Sequence, residues 1–411
     1  MKLKRLSAIL LTLAMVFALA ACSSGTSKPS ESTNPSPSAP TDSQEPSGND
    51  GPAVSEWVIP VLSAVTGPIA FVGEPAAWAA QYAADQINAA GGINGVPVRV
   101  EIHDTEFSPE TGAQIASGLV GNSLFILGCM AAPVSTAIGP IISEAGVPNV
   151  GSYSFAYLRD EFAPYAYGYM SDSEAGDLAA CTAWCEAKGY KNIVLVYDPT
   201  DESMTASRTL FEKELGNYGI NITGIVEVET GTLNVGSAAV QALNYKDADA
   251  YFLVLRKDEA SKMIVEMRNR GVDSGEKFFC TFSAFDQGLI DLAGEAGEDV
   301  YVWTKLDVDY NGDDWNALCA AYAEKFGTNP SAPPVPGFYN AMIALKQCYE
   351  ELNITGDPAK LAEERQAIAN WFYNSPVVQG IQGPVQWTKG EMTATPFNYQ
   401  IKNGAFVKVE F

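Results

Sequence analysis

Several charged and aromatic side chains stand just after apolar runs of the chain, and their types suit the binding of a small molecule. Arg256 could clamp an anion through two parallel hydrogen bonds, and Glu202 could pair with a cation. Aromatic side chains that could form apolar walls around such a molecule are Phe71, Tyr153, Phe155, Phe282 and Trp303. These residue types suit a small charged or aromatic solute, but the types alone do not place the side chains in one site.

Each of these residues also has a purely structural interpretation. Arg256 begins a run of charged residues that could be a solvated loop capping the next helix. Glu202 could belong to an exposed acidic turn that begins at Asp198. The aromatic side chains could be ordinary core residues, so the sequence leaves both interpretations open.

The residues needed for common hydrolytic or metal chemistry are missing from the sequence. His103 is the single histidine, which excludes a histidine-based metal site, and it falls on the polar face of a predicted edge strand. There is no Gly-x-Ser-x-Gly elbow, no phosphate-binding loop and no paired Cys/His ligand set. We therefore expect no catalysis, no metal and no cofactor, and a secreted hydrolase is the less favoured alternative.

The first part of the chain has the features of a targeting segment rather than of a folded domain. A basic start and a short apolar run over residues 6–20 predict a signal peptide at residues 1–21. The run ends in residues 19–22, which resemble the bacterial lipobox, so Cys22 is the predicted lipidation site; a secretory signal with an incidental cysteine is the alternative. Residues 22–54 are rich in Ser, Pro, Thr and Gly, which predicts a flexible tether.

The charge and the size of the remainder limit the function further. The chain has 25 Lys and Arg against 49 Asp and Glu, a formal net charge of −24, which argues against nucleic acid or anionic lipid as a partner. A remainder of about 360 residues exceeds one ordinary core and suits two lobes. We favour free, buried thiols over disulfides for the six later cysteines, which are Cys129, Cys181, Cys185, Cys280, Cys319 and Cys348.

Strand-like and helix-like patterns alternate along the chain, which predicts an α/β fold with mainly parallel sheets. The first series has predicted strands at residues 57–62, 96–103, 124–127 and 147–150, with a helix at 75–90 after the first strand. The second series has strands at residues 192–197, 222–228, 250–255 and 277–281. A tail follows with a strand at 300–303, helices at 315–326 and 338–352, and strands near 384–387 and 397–409. Its length allows it to return to the first lobe and cross over again.

Three segments of the chain resemble one family of exported binding proteins. They are Ser63-Ala64-Val65-Thr66-Gly67-Pro68, then residues 85–95 with their Gly91-Gly92 pair, then His103-Asp104 with Pro109 close behind. These segments resemble the leucine/isoleucine/valine-binding protein family, the type I periplasmic-binding fold of branched-chain amino acid ABC importers. The resemblance runs from about residue 57 to residue 411. Its most specific piece, residues 87–95, is a helix stop and tight turn that need glycine at positive φ.

The resemblance implies two doubly wound lobes joined by a three-strand hinge, with a solute bound between them at the carboxyl ends of the strands. The lobes would be residues 55–171 plus 303–396 and residues 172–302 plus 397–411. It also implies an extracytoplasmic receptor that closes over an amino acid-like solute and delivers it to an ABC transporter permease. We expect a monomer, anchored to the bacterial cell membrane through lipid on Cys22. A sensor module that serves a separate receptor is the alternative.

Several ligand positions implied by the resemblance carry other residues here. The family serine after the third strand falls on Ala132, and the threonine after the fourth falls on Phe155, with a hydroxyl nearby on Ser154. Two family tyrosines fall on Glu202 and Arg256. The family glutamate that pairs with the ligand ammonium falls on Phe282.

These departures make a charged or aromatic amino acid-like solute as reasonable as leucine. Backbone donors near residues 132–135 would suit a carboxylate at a helix N-terminus. The family aromatic after the Gly-Pro turn falls on Val72, beside Phe71. The candidate ligand residues are therefore Phe71, Val72, Met130, Ala131, Ala132, Ser135, Tyr153, Ser154, Phe155, Glu202, Arg256, Phe282 and Trp303.

Overall fold

The computed structural model describes residues 51–153, 156–330, 332–393 and 396–411. The predicted signal peptide, Cys22, most of the tether and the candidate ligand residues Ser154 and Phe155 lie outside the described residues. Within the described part, no helix combines the length and the apolar character needed to cross a bilayer.

The strands and helices alternate along most of the chain. The strands are β1 (Trp57–Ser63), β2 (Val98–Asp104), β3 (Ile126–Gly128), β4 (Asn149–Gly151), β5 (Ala166–Gly168), β6 (Asn192–Tyr197), β7 (Asn221–Glu227), β8 (Ala250–Val254), β9 (Phe278–Cys280), β10 (Tyr301–Thr304), β11 (Val378–Gly380), β12 (Gly383–Thr388), β13 (Glu391–Thr393), β14 (Phe397–Lys402) and β15 (Ala405–Val409). The helices are α1 (Ala70–Ala89), α2 (Pro109–Leu119), α3 (Ala132–Ala145), α4 (Ala156–Glu161), α5 (Ser173–Lys188), α6 (Glu202–Glu214), α7 (Gly236–Leu243), α8 (Lys257–Asn269), α9 (Gln287–Ala293), α10 (Asp313–Phe326), α11 (Pro334–Glu351) and α12 (Leu361–Tyr373).

The first sheet has five parallel strands in the order β2-β1-β3-β4-β5. Its interior strand β1, next to the edge strand β2, is buried along almost its whole length, as expected for a parallel sheet covered on both faces. One layer of this cover is α1, which buries a stripe of alanines that includes Ala76, Ala80 and Ala84. The predicted edge position of the strand carrying His103 is confirmed, because β2 lies at the end of the sheet.

Helix α1 begins five residues earlier than predicted. The predicted helix started at Pro75, and proline is indeed favoured in the first turn of a helix. In the structure Pro75 lies inside α1, where it removes one backbone hydrogen bond without ending the helix. The earlier start brings Phe71 and Val72 into the first turn of α1.

The second sheet has seven strands in the order β15-β14-β10-β9-β8-β6-β7. Strands β6 to β10 are parallel, whereas β14 pairs with β10 and β15 in antiparallel fashion. The single strand predicted at 397–409 is therefore wrong: the segment is a hairpin. It turns at Asn403 and Gly404, both at positive φ, as two-residue hairpin turns require.

The chain passes between the two sheets after β5, after β10 and after β13, as traced through the described strands. Helix α5 packs in the core of the second sheet, where Trp184 is fully buried. Helices α10 to α12 and the small antiparallel sheet β11-β12-β13 return to the core of the first. The predicted α/β fold of two lobes joined by three connections is confirmed, and the predicted lobe limits in residue numbers stay predictions.

The cysteines behave as small apolar residues. All six described cysteines are free, and five of them are buried; Cys319 is partly exposed. The prediction of free, buried thiols is confirmed for those five.

Candidate functional site

Most of the predicted ligand residues lie at the carboxyl ends of parallel strands. Met130 and Ala132 follow β3, Glu202 follows β6, Arg256 follows β8, and Phe282 follows β9. In open α/β sheets ligands bind at this edge. The two lobes also touch on this side of the molecule, because Ala206 of α6 packs against the core of the first lobe.

The loop after β1 is held against the end of β2 by Asp104. The Asp104 carboxylate accepts hydrogen bonds from the backbone N–H of Val65, Thr66 and Glu106, at 2.9–3.3 Å, and from the Thr66 hydroxyl at 2.5 Å. Burial pushes the pKa of Asp104 upwards, but these hydrogen bonds bring the net pKa below its usual value. The Thr66-Gly67-Pro68 turn that carried the resemblance is thus a fixed rim of the first lobe.

The predicted residues Phe71 and Val72 stand beyond this rim. The Phe71 side chain is 77% exposed, and Val72 is partly buried against the core. An exposed phenylalanine at the mouth of the strand-end surface is available to contact a solute. The structure therefore leaves the predicted ligand role of Phe71 open.

Ser135 positions two loops instead of facing solvent. Its side chain is fully buried, donates to the backbone oxygen of Cys129 at 3.0 Å and accepts from the Ser152 N–H at 3.0 Å. These bonds join the loop after β3 to the loop after β4. Because the single hydroxyl proton is donated to Cys129 and the side chain is fully buried, Ser135 has no donor free for a solute, and its ligand role stays a prediction.

The N-terminus of α3 offers fewer donors than the sequence suggested. Pro133 has no N–H, and the N–H groups of Val134 and Ser135 both donate to the Ala131 backbone oxygen, at 3.1 and 3.0 Å. The prediction of free backbone donors is therefore wrong for residues 133–135. Ala132 keeps an N–H at the first position of the helix, while Met130 and Ala131 are buried.

Tyr153 is a core residue. It is fully buried, its hydroxyl donates to Asn149 Oδ1 at 2.8 Å, and its ring lies 6.3 Å from that of Phe162. Burial raises the pKa of this phenol well above its usual value. This burial does not favour the predicted role of Tyr153 as a wall of the cleft, since a position just past a strand end does not say which way the side chain points.

Arg256 lies where the ends of two neighbouring strands meet. Its Nη2 donates to Asp201 Oδ2 at 2.7 Å, and Asp201 also caps α6 by accepting from the N–H groups of Ser203 and Met204. The Arg256 side chain is 55% exposed, so further guanidinium donors can reach a solute. Glu202, the first residue of α6, is also exposed on this edge.

Trp303 lies beneath the surface, bound to an acid that the sequence analysis did not select. The buried Asp177 carboxylate accepts from Trp303 Nε1 at 2.6 Å, Thr281 Oγ1 at 2.5 Å and Ser207 Oγ at 2.6 Å. Burial raises the pKa of Asp177 to about 6, although these donors act in the opposite direction. The fully buried ring of Trp303 packs against Phe282 and does not face the surface, so its predicted ligand contact stays a prediction that this burial does not favour.

Phe282 is the aromatic residue nearest the surface at the end of β9. It is partly buried, and its ring centroid lies 5.4 Å from that of Trp303. The ammonium of Lys305 lies 4.5 Å from the centroid of the Phe282 ring. Lys305 stands only two residues after Trp303, but no motif marks it in the sequence.

A cavity of about 190 Å³ lies among the three connections between the lobes. It is lined by Met170 and Ser171 after β5, Lys305 after β10 and Phe397 at the start of β14, and it is closed by Asn340 of α11 and other residues. The sequence analysis missed this cavity, because its walls come from segments far apart in the chain.

The arrangement of two mainly parallel sheets, three connections and polar strand ends defines a two-lobed solute-binding protein. The chain belongs to the periplasmic binding protein family, whose model matches residues 56–405. This family acts outside the cytoplasm, which agrees with the predicted export.

Individual relatives support the same assignment. The Leu/Ile/Val/Thr-binding protein of Salmonella typhimurium is 21% identical over 346 residues, which cover 82% of this chain and 89% of that protein. The Leu/Ile/Val-binding protein homolog 3 of Brucella melitensis is 32% identical over 202 residues, which cover 46% of this chain and 51% of that protein. Both are named as binding proteins, in agreement with the prediction that this chain is not an enzyme.

Solved structures share the fold at low sequence identity. The leucine binding protein LivK of Thermotoga maritima matches with a TM-score of 0.64 and 20% identity, over 86% of this chain and 98% of that one. The substrate binding protein LivJ of Streptococcus pneumoniae, solved with isoleucine, matches with a TM-score of 0.64 and 19% identity, over 86% and 100%. At such low sequence identities the similarity to these structures shows a shared fold and nothing more specific.

Proposed function

We propose that this protein is a lipid-anchored receptor of an ABC importer that captures an amino acid-like solute between its two lobes. The observation that carries the proposal is the edge where the parallel strands of both sheets end, with Arg256 exposed on it, in a chain of the periplasmic binding protein family. The relatives named for leucine, isoleucine and valine support solutes of that size. Lipid on Cys22 would hold the receptor beside the permease that takes over the solute.

The chemistry of the strand ends favours a solute with a carboxylate. The exposed Arg256 can add a second, bidentate partner to the bond that it makes with Asp201. A solute carboxylate bound there would receive charge-assisted hydrogen bonds, which are the stronger kind. Phe282 would supply apolar area next to this carboxylate.

A solute ammonium group has fewer partners than a solute carboxylate, because several carboxylates near the strand ends already accept hydrogen bonds from the protein. Asp104 and Asp177 are fully engaged by protein donors, as described above. Asp198 accepts four hydrogen bonds, from the N–H and hydroxyl groups of Thr200 and Thr230, at 2.5–2.9 Å. Since these carboxylates are satisfied within the protein, anionic or aromatic acids stand beside zwitterionic amino acids as candidate solutes.

A panel of four compounds tests the proposal. Leucine, phenylalanine, 4-methyl-2-oxopentanoate and phenylpyruvate separate the effect of the ammonium group from that of the aromatic ring. Binding stabilises the folded chain by mass action, so a ligand at about a hundred times its Kd should raise stability by about 2.7 kcal/mol, visible as a higher Tm. Recovery of the bound compound unchanged would agree with capture without catalysis. If neither this panel nor a wider set of amino acids, amides and aromatic acids shifts the Tm, the proposed function is wrong.

A further inference from the structure

Two of the connections between the lobes are joined by one lysine. Lys305, just after β10, donates from Nζ to the backbone oxygen of Ser171 at 2.7 Å and to Ser173 Oγ at 3.0 Å. Both acceptors lie in the stretch between β5 and the start of α5. The ammonium therefore ties the second connection to the first.

The first connection is also held from the side of the first lobe. Arg159 of α4 donates from both terminal nitrogens to the carboxylate of Asp172, each bond at 2.6 Å, and both side chains are only 5% exposed. The guanidinium lies 3.8 Å from Glu391, on the strand that precedes the third connection. Asp172 is thus fixed on one side while its neighbours Ser171 and Ser173 are held by Lys305 on the other.

Lys305 also contacts the candidate solute surface. Its ammonium lies over the Phe282 ring, and Ser173 opens α5, the helix whose Asp177 binds Thr281 and Trp303. The side chain of Lys305 therefore links the geometry of the connections to the ends of β9 and β10. The same ammonium thus contacts both the first connection and the ring of Phe282.

We propose that Lys305 is a positioning residue for solute capture: its charge latches the first two connections together and fixes Phe282, so its loss weakens solute binding. This inference rests on the proposed function. Lys305 acts through the connections and through Phe282, and is not itself a ligand for the solute.

The latch predicts a pH dependence of binding. Burial lowers the pKa of Lys305 to about 8, although the nearby Asp172, Glu174 and Asp177 act to raise it. The neutral amine above this pKa loses its cation–π contact with Phe282 and one donor. Solute affinity should therefore fall as the pH rises from 7 to 9.

Glu174 titrates in the same pH range as Lys305, so its effect on solute affinity has to be separated from that of Lys305. Burial, with a contribution from Asp172, raises its pKa to about 8, and its buried Oε2 accepts no hydrogen bond from the part of the chain that the structure describes. Its ionisation would favour the charged form of Lys305 and so oppose the loss of affinity. Burial also raises the pKa of Glu391, whereas Arg159 stays charged throughout. The variant Glu174→Gln removes the competing titration.

The test measures the Kd of the solute found in the panel by calorimetry between pH 7 and 9, on the full chain. The variants are Lys305→Met, which keeps the length without the charge, and Lys305→Arg, which keeps the charge. Lys325→Met is the matched control, because Lys325 lies 3.4 Å from Glu74 and 5.1 Å from the Phe326 ring but stands on α10, away from the connections. Small-angle scattering of the ligand-free proteins reports the separation of the lobes.

We expect Lys305→Met to weaken binding about tenfold at pH 7, the effect of losing one or two hydrogen bonds, with a flat pH profile. Lys305→Arg should retain most of the affinity and lose the pH dependence, and Lys325→Met should match the wild type. Equal affinity and equal pH profiles for Lys305→Met and Lys325→Met would overturn the inference.

Two further measurements test the role of Lys305 if its variant does not fold or if no solute binds. If Lys305→Met does not fold, the wild type and Glu174→Gln decide the matter, since an affinity that stays constant from pH 7 to 9 in both contradicts the latch. If no solute binds at all, the proposed function fails, and the scattering curves then test whether Lys305 holds the connections together. If Lys305→Met gives the same scattering curve as the wild type at both pH 7 and pH 9, the latch is ruled out. The same conclusion follows if Lys305→Arg matches the wild type at both pH values.

Discussion

The indole Nε1 of Trp303 donates a 2.6 Å hydrogen bond to the carboxylate of Asp177, and both side chains are buried beneath the strand ends of the second lobe. The two residues are 126 positions apart in the chain, so this bond forms only when α5 docks on β10. A buried carboxylate of this kind is stable only because donors surround it. It therefore supports the floor of the candidate site and gives the protein a measurable response to pH.

Asp177 should make the folded state less stable as the pH rises. Its folded-state pKa of about 6 exceeds the ordinary value, so the stability that its protonation provides is present below about pH 4 and lost as the pH rises through 6. Asp177→Asn removes this titration and can keep the bonds from Thr281 and Trp303. The free energy of unfolding of the variant relative to the wild type should increase by about 1 kcal/mol from pH 5 to 7.5. Urea unfolding at both pH values measures it, and a constant difference would contradict it.

Arg159 should be costly to remove, because it neutralises the buried Asp172. Arg159→Met leaves that carboxylate without its partner and should lower the free energy of unfolding by about 3–5 kcal/mol. The double variant Arg159→Met/Asp172→Asn should recover part of this loss. Arg208→Met is the control, since its pair with Glu212 is exposed and worth about 0.5 kcal/mol. Similar losses in the free energy of unfolding for Arg159→Met and Arg208→Met, measured in urea, would contradict the role of Arg159 in neutralising Asp172.

Gly73 should not tolerate a methyl group. A Cβ at this position would lie 2.0 Å from the backbone oxygen of Ala64, where α1 passes the loop after β1. Gly73→Ala should therefore cost about 3 kcal/mol of stability. Gly118→Ala, in α2 with open space around it, should instead stabilise the protein by about 0.5–1 kcal/mol. Thermal unfolding compares the two variants, and a neutral Gly73→Ala would show that α1 can shift.

Arg256 should matter for solutes that carry a carboxylate. Arg256→Ala should weaken their binding by about 2 kcal/mol, at the lower end for truncating a charged partner because the side chain is half exposed. Arg99→Ala is the matched control: Arg99 also pairs with a carboxylate at 2.7 Å and is 48% exposed, but stands near the amino end of β2. Calorimetric titration gives both Kd values. Unchanged affinity for Arg256→Ala would remove this residue from the site.

Cys22 should determine where the protein is found in the cell. Cys22→Ala abolishes the thiol to which lipid would be attached, so the protein should move from the membrane fraction to the soluble exported fraction. Immunoblotting of the separated fractions measures the shift. An unchanged membrane fraction would favour an ordinary secretory signal or another means of attachment.

The sequence predicted the regular parts of the fold well. Strands such as β6 were predicted at the observed residues because their apolar runs are continuous, and the Gly91-Gly92 stop placed the end of α1 within one residue. Strand β5 was missed, since Ala-Tyr-Gly is too short to show a period. The hairpin was missed although Asn403-Gly404 is a typical two-residue hairpin turn, because the prediction joined the strand-like residues on both sides into one strand.

The candidate site was less predictable than the fold. Strand ends could be located from the sequence, but the direction of a side chain could not, so Tyr153 and Trp303 were placed in the cleft although both are buried. Lys305 and Ser171 are 134 positions apart, and no local pattern signals such a pair. Arg256 was selected because a family ligand position falls on it, but the sequence could not show its pairing with Asp201.

The hairpin β14–β15 covers the edge of β10 and is synthesised after both lobes have otherwise been made. Until residues 397–409 arrive, β10 presents unpaired backbone groups that could join a strand of another chain. The order of synthesis therefore creates an interval in which self-association competes with folding. A chain released before residue 397 would keep this open edge permanently.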